Sequence, residues 1–101
     1  MKKLFLDDMR SPFDTGYDVV RSVEEAIDYV NRYGCPDLIA FDYHLGFGRN
    51  VLPFVHYLVN EDISKNGKLI PKDFTYTVHS NDPRAKGRIW DVLGVYLESR
   101  T

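Results

Sequence analysis

The sequence predicts an α/β domain built on a short, mostly parallel sheet of about four strands. Two short apolar runs, Leu4-Phe5-Leu6 and Leu38-Ile39-Ala40-Phe41, each end in aspartate, as Asp7-Asp8 and Asp42. Such runs, bounded by turn residues, are the pattern of buried strands. Helical patterns alternate with the strand-like ones, which argues for parallel pairing. With 101 residues, a single domain spanning 1–101 is expected, near the small end for a self-sufficient core.

Lys3 to Leu6 reads as the first strand. Arg10 to Gly16 is dense in turn residues and reads as a loop, although parallel strands are usually joined by a helix. Tyr17 to Arg21 is a second, marginal strand. Ser22 and Glu25 have capping-box spacing, and Val23, Ala26, Ile27 and Val30 give the following helix one apolar stripe. Gly34 stands where a left-handed C-cap belongs, and Pro36 blocks continuation. After the strand that ends at Asp42, Asn50 to about Lys65 reads as a second helix, with Phe54, Val55, Leu58 and Val59 inward. Pro53 falls in its first turn and Gly67 marks its end. Phe74 to Val78 is rich in β-branched and aromatic residues, a strand signature. Asp82-Pro83 has the form of an N-cap and first turn, and Ala85, Ile89, Val92, Leu93, Tyr96 and Leu97 form the inner face of a last helix. Tyr29, Tyr33, Trp90 and Tyr96 fall at helical spacing and read as core or covering residues.

A formal net charge of -2 gives no global attraction to nucleic acid or anionic membrane. Cys35 is the only cysteine, which excludes an intrachain disulfide and suits a reducing cytoplasm. No apolar stretch is long enough to span a bilayer. Asp7 and Asp8 interrupt any signal-peptide core after Lys2 and Lys3. The expectation is a cytoplasmic protein with no membrane partner.

Open α/β sheets bind ligands at the carboxyl ends of their strands. If the strands ending at Asp7-Asp8 and Asp42 are neighbours, three carboxylates converge there. Two like charges about 4 Å apart repel by roughly 4 kcal/mol at an effective dielectric of ~20, so the trio needs a cation, a basic partner or a proton. Oxygen ligands suit Mg²⁺ or Mn²⁺. Arg10 could reach back as a phosphate clamp, or pair at the surface with Asp8 or Asp14. His44 and His79 follow strand ends and are candidate general acids or bases, or hydrogen-bonded structural residues. Arg84, Lys86 and Arg88 add positive charge to the start of the last helix, a natural place for phosphate. Gly87 within that helix costs about 1 kcal/mol against alanine, consistent with a close backbone approach or with packing against a neighbouring helix. Gly46-Phe47-Gly48 reads as a tight exit from the strand.

The segments Leu4-Phe5-Leu6-Asp7-Asp8, Pro36 to Asp42 and Val78-His79-Ser80 resemble a response-regulator receiver domain. That resemblance implies a flavodoxin-like three-layer sandwich, with Asp7, Asp8 and Asp42 as metal ligands, Asp42 also as candidate nucleophile, and Ser80 in the hydroxyl role. The helix between the first two strands is missing, as is the last strand–helix unit with the essential lysine of receivers, so phosphorelay switching is not expected. A narrower resemblance covers nearly the whole chain. Asp7-Asp8-Met9-Arg10-Ser11-Pro12, Asp42-Tyr43-His44 and His79-Ser80-Asn81-Asp82-Pro83 are similar to the cyclic-phosphate-processing receiver-like family of bacteria and their phages. That family implies metal-dependent phosphoester processing of a cyclic or terminal phosphate on RNA or a nucleotide. Asp42, His44 and His79 would be catalytic, and Arg10, Ser80, Arg84 and Lys86 would hold phosphate. The alternative is a non-catalytic module that binds a phosphorylated ligand or protein partner.

Overall fold

The computed structural model describes residues 1–100; Thr101 lies outside them. Strands β1 (Lys3–Leu6), β2 (Tyr17–Val20), β3 (Leu38–Phe41) and β4 (Thr75–Val78) form one sheet in the order β2-β1-β3-β4. Every pairing is parallel. Helices α1 (Val23–Tyr33) and α2 (Leu52–Ser64) follow β2 and β3. The C-terminal helical stretch has three parts: α3 (Ala85–Ile89), a π-helical turn (Trp90–Gly94) and α4 (Val95–Ser99).

Register positions the site. Leu6 is level with both Val20 and Phe41, and Phe41 with Val78, so the four strands end on one line. The ladder runs one residue further: Asp7 N–H donates to the Val20 carbonyl, Asp42 N–H to Leu6 and His79 N–H to Phe41, at 3.2, 2.8 and 2.8 Å. Arg21, Asp7, Asp42 and His79 therefore stand side by side on the carboxyl edge of the sheet.

One face of the sheet carries Leu4, Leu6, Ile39 and Phe41, which share a core with Ala26 and Val30 of α1, Phe54, Val55 and Leu58 of α2, and Ala85, Ile89 and Leu93 of the C-terminal stretch. The other face carries Phe5, Tyr17, Val19, Thr75 and Thr77, none of them in that core. The receiver-like sandwich is thus realised with two of its three layers, the sheet and one layer of helices. The cause is the short β1–β2 connection, which has no helix to lay on the second face.

That connection satisfies its polar backbone with side chains instead. Asp7 Oδ1 accepts the N–H groups of Met9 and Arg10 at 2.9 and 2.8 Å. Asp14 accepts from Gly16 N–H and pairs with Lys3 Nζ at 3.0 Å. The Arg21 guanidinium donates to the carbonyls of Asp7 and Arg10 and to Ser11 Oγ.

The expected caps of α1 are present. Ser22 Oγ accepts Glu25 N–H at 3.1 Å, and Glu25 Oε1 reaches back to Arg21 N–H at 3.0 Å, one residue earlier than in the usual box. Gly34 has φ +85° and donates to Val30. Helix α2 starts at Leu52, where Asn50 Oδ1 accepts the Leu52 N–H.

The last helix differs from expectation. Asp82 does not cap it directly: its carboxylate takes Arg84 N–H and its carbonyl takes Ala85 N–H, forming a turn from which α3 then begins. The first N–H groups expected to cradle phosphate are consumed there. The π turn was not legible beforehand. Its Val95 N–H bonds back to Trp90, and the Trp90 ring folds onto Gly94 so closely that a Cβ would sit 1.9 Å from it. Apart from its own helix backbone and chain neighbours, no heavy atom of the described residues lies within 4 Å of a Cβ built on Gly87, so packing against a neighbouring element does not require the glycine.

Asp62, on the last turn of α2, is fully buried. Its carboxylate accepts the N–H groups of Leu69 and Ile70, the Tyr96 hydroxyl and the Arg100 guanidinium, all at 2.6–3.0 Å. One carboxylate ties the end of α2, the loop beyond it and the end of α4 together.

Candidate metal and phosphate site

Asp7, Asp8 and Asp42 each offer a carboxylate oxygen, all within 4.8 Å of one another. They do so because β1 and β3 are adjacent and end in register. The environments of the three differ. Asp7 is fully buried, and burial alone would push its carboxyl up. The N–H groups of Arg10 and Met9, the Arg10 charge and His79 outweigh that and hold it below the usual carboxylate range. Asp42 is pushed the other way, by burial first and by the Asp7 charge second, with Arg10 and His79 only partly offsetting them. Asp8 is half-buried, and its carboxylate accepts no hydrogen bond among the described residues.

Arg10 takes neither place foreseen for it at the surface. Its Nε lies 3.1 Å from Asp7 Oδ2 and its Nη2 3.7 Å from Asp42 Oδ1, so its charge partly neutralises the trio. The donor set is all oxygen, with Asp8 free and Asp42 held only at long range by Arg10. Asp7, Asp8 and Asp42 could together hold a metal ion.

The two histidines part company. His79 Nε2 lies 3.1 Å from Asp7 Oδ2, and its ring stacks on Phe5 at 4.7 Å and 12°. His44 instead points away from the trio to Asp82, 2.9 Å from Nε2 to Oδ2. Asp82 is a second hub. Its own N–H donates to Ser80 Oγ, Arg84 Nε lies 3.5 Å from Oδ1, and the Arg84 N–H together with His44 holds its carboxyl down at about 2. Arg88 donates to the Tyr43 hydroxyl at 3.4 Å. Arg84 and Arg88 thus face the strand ends, one helical turn apart. Lys86, midway between them in sequence, falls on another face and makes no ion pair among the described residues.

One contributor escaped the sequence reading, and a second was read only as a tight exit from the strand. Arg21 pins the loop that carries Asp7 and Asp8; the signal for it was its place as the residue directly after β2, in line with Asp7. The other is the loop after Asp42. Gly46, Phe47 and Gly48 all have positive φ, at 82°, 53° and 73°. A Cβ on Gly46 would meet Asp8 Oδ2 at 3.0 Å, so glycine there leaves room for the carboxylate. Phe47 holds a left-handed backbone that costs a bulky residue about 1–2 kcal/mol. Beside Asp8 this loop borders a cavity of about 630 Å³. Cys35 takes no part: burial pushes its thiol up to about 12.

A parallel sheet with a strand-end carboxylate trio and a helix-free first crossover defines a compact receiver-like domain. The family model of the cyclic-phosphate processing receiver domain matches residues 2–94, and the chain belongs to that family. No curated protein and no solved structure matches it. Among the described residues no helix is long and apolar enough to cross a membrane.

Proposed function

We propose that this domain processes phosphoesters in a metal-dependent reaction, acting on a cyclic or terminal phosphate of RNA or a nucleotide. One observation carries the reading: three carboxylate oxygens within 4.8 Å of one another at one sheet edge, with an imidazole and a guanidinium in direct contact with them.

Hydrolysis of a cyclic phosphate adds one water across one P–O bond. A proton leaves the water and another reaches the departing alkoxide. Asp8 and Asp42, with Asp7, would hold a divalent cation, which when bound polarises a phosphoryl oxygen and acidifies water. His79, held by Asp7 and Phe5, would carry a proton. Arg10 would swing from the carboxylates onto phosphate, with Arg84 and Arg88 adding positive charge nearby. Asp42 serves either as ligand or as nucleophile.

The experiment is a screen of 2′,3′-cyclic, 3′- and 5′-phosphate nucleotides with Mg²⁺ or Mn²⁺, with product followed by ³¹P NMR. Product that requires both metal and Asp42 supports the reading. Absence of product from every substrate would sink it and favour a module that binds a phosphorylated ligand or protein. The Arg10–Asp7 pair is the feature most in keeping with that second reading, since it already stabilises the site without a metal.

A further inference from the structure

The cavity beside Asp8 lies between the loop after β3 and the start of α1. Met9, Arg21, Leu45, Phe47, Arg49 and Pro53 contribute to its walls. Its volume, about 630 Å³, is in the range of small-molecule sites. Phe47 is 98 % exposed and Met9 83 %, so two large apolar side chains at its edge are left in water. Phe47 is held there by a left-handed backbone between two glycines that are also left-handed. A bulky residue in that conformation with no packing to justify it points to a role outside the fold. The Arg49 side chain has no partner among the described residues. The cavity therefore offers an aromatic plate, an apolar wall and a free guanidinium, with the candidate cation site at one end.

We propose that this cavity is the nucleoside subsite: Phe47 stacks on the base of a nucleotide whose phosphate lies at Asp8 and Asp42, and Arg49 engages that phosphate. This deepens the phosphoester reading above and rests on it. A competing groove of about 370 Å³ lies on the uncovered sheet face between Phe5, Phe13, Tyr17, Thr77 and His79. It is the weaker candidate because Arg10, the guanidinium in its lining, already holds Asp7, whereas the Arg49 side chain is unpaired among the described residues. Its Tyr17 ring is also covered by Lys3 Nζ at 4.8 Å.

The test compares adenosine 2′,3′-cyclic phosphate with ethylene phosphate, a five-membered cyclic phosphate that has neither ribose nor base. Both are titrated into the full chain with Mg²⁺, with binding read by amide NMR and conversion by ³¹P NMR. The adenosine compound should shift amides at Met9 and from Leu45 to Asn50. Phe47→Ala should weaken its binding by about 5- to 150-fold, the range of base–aromatic stacking, and leave ethylene phosphate unchanged. Phe47→Trp should restore binding, whereas Arg49→Ala should weaken both compounds. The ring is exposed, so its loss spares the fold; Phe47→Gly, which suits the left-handed backbone, should reproduce Phe47→Ala.

Shifts centred on Phe5, Tyr17 and Thr77, or a Phe47→Ala chain that binds both compounds like the parent, would overturn the subsite. Equal conversion of both compounds alongside that result would leave the phosphoester reading standing. Binding through the loop with no conversion would do the reverse. A parent that binds neither compound removes both.

Discussion

Replacing Asp42 by asparagine should make the metal-free protein more stable. Asp42 has a carboxylate on each side, from Asp7 and Asp8, with ligand oxygens no more than 4.8 Å apart. At an effective dielectric of ~20 each such pair repels by at least about 3 kcal/mol. Arg10 returns about 4 kcal/mol from 3.7 Å. Burial of the charge adds to the cost, in keeping with a carboxyl pushed above its usual range. The site is partly open to solvent, which shrinks the balance, and a net gain of about 1–2 kcal/mol on neutralisation is expected at pH 7 and low salt. In a domain of this size that is a rise in Tm of roughly 4–8 °C per kcal/mol, measured in EDTA. Added salt should erode the gain. Mg²⁺ should reverse the order, raising the Tm of the parent and leaving Asp42→Asn where it was. The reasoning fails if Asp42→Asn is less stable than the parent in EDTA, or if Mg²⁺ stabilises both alike.

Asp62→Asn should cost about 3 kcal/mol, because it removes the buried carboxylate that the partly buried Arg100 charge pairs with. Hydrogen bonds from Tyr96, Ile70, Arg100 and Leu69 outweigh burial and depress the Asp62 pKa, so its contribution is present above the unfolded value of 3.8 and lost as pH falls through the folded one. Urea titrations of parent and variant should therefore converge below that range. Gly87→Ala, with open space around the site, should stabilise the metal-free chain by about 0.5–1 kcal/mol in urea denaturation. If stability instead falls, the open space at Gly87 is wrong. His79→Ala should lower turnover by about 10²- to 10⁴-fold, the usual contribution of a general acid or base, whereas His44→Ala, which loses an exposed contact to Asp82 and an edge contact with the Tyr43 ring, should change it less than tenfold. Steady-state kinetics with the reverse order would reassign the proton carrier.

Much of the fold was legible because its signals are local. Leu4-Phe5-Leu6 and Leu38 to Phe41 announce their strands by composition, and Ser22, Glu25 and Gly34 mark the ends of α1 by residues a few positions apart. The trio was legible for a related reason: two strands ending in aspartate need only be neighbours to bring Asp7, Asp8 and Asp42 together. What escaped depends on distant partners. Asp62 sits in a helix and reads as solvated; its burial is set by Tyr96 and Arg100, 34 and 38 residues away. Arg10 was free by sequence to turn toward Asp8 or Asp14, and its pairing with Asp7 follows from the loop that Arg21 pins. His44 follows a strand end, as His79 does, yet it leaves the ladder at the His44–Asn50 bridge and turns to Asp82. The π turn has no pattern of its own; it pairs Gly94 with a Trp90 ring that fills the space of a side chain.

The central claim is that the trio is a working phosphoester site. Its most direct test is the conversion of adenosine 2′,3′-cyclic phosphate by the full chain, followed by ³¹P NMR, with Mg²⁺ and with EDTA, for the parent and for Asp42→Asn. The account predicts a linear phosphate product only from the parent with Mg²⁺. Product that persists in EDTA or in Asp42→Asn, or no product under any condition, would contradict it.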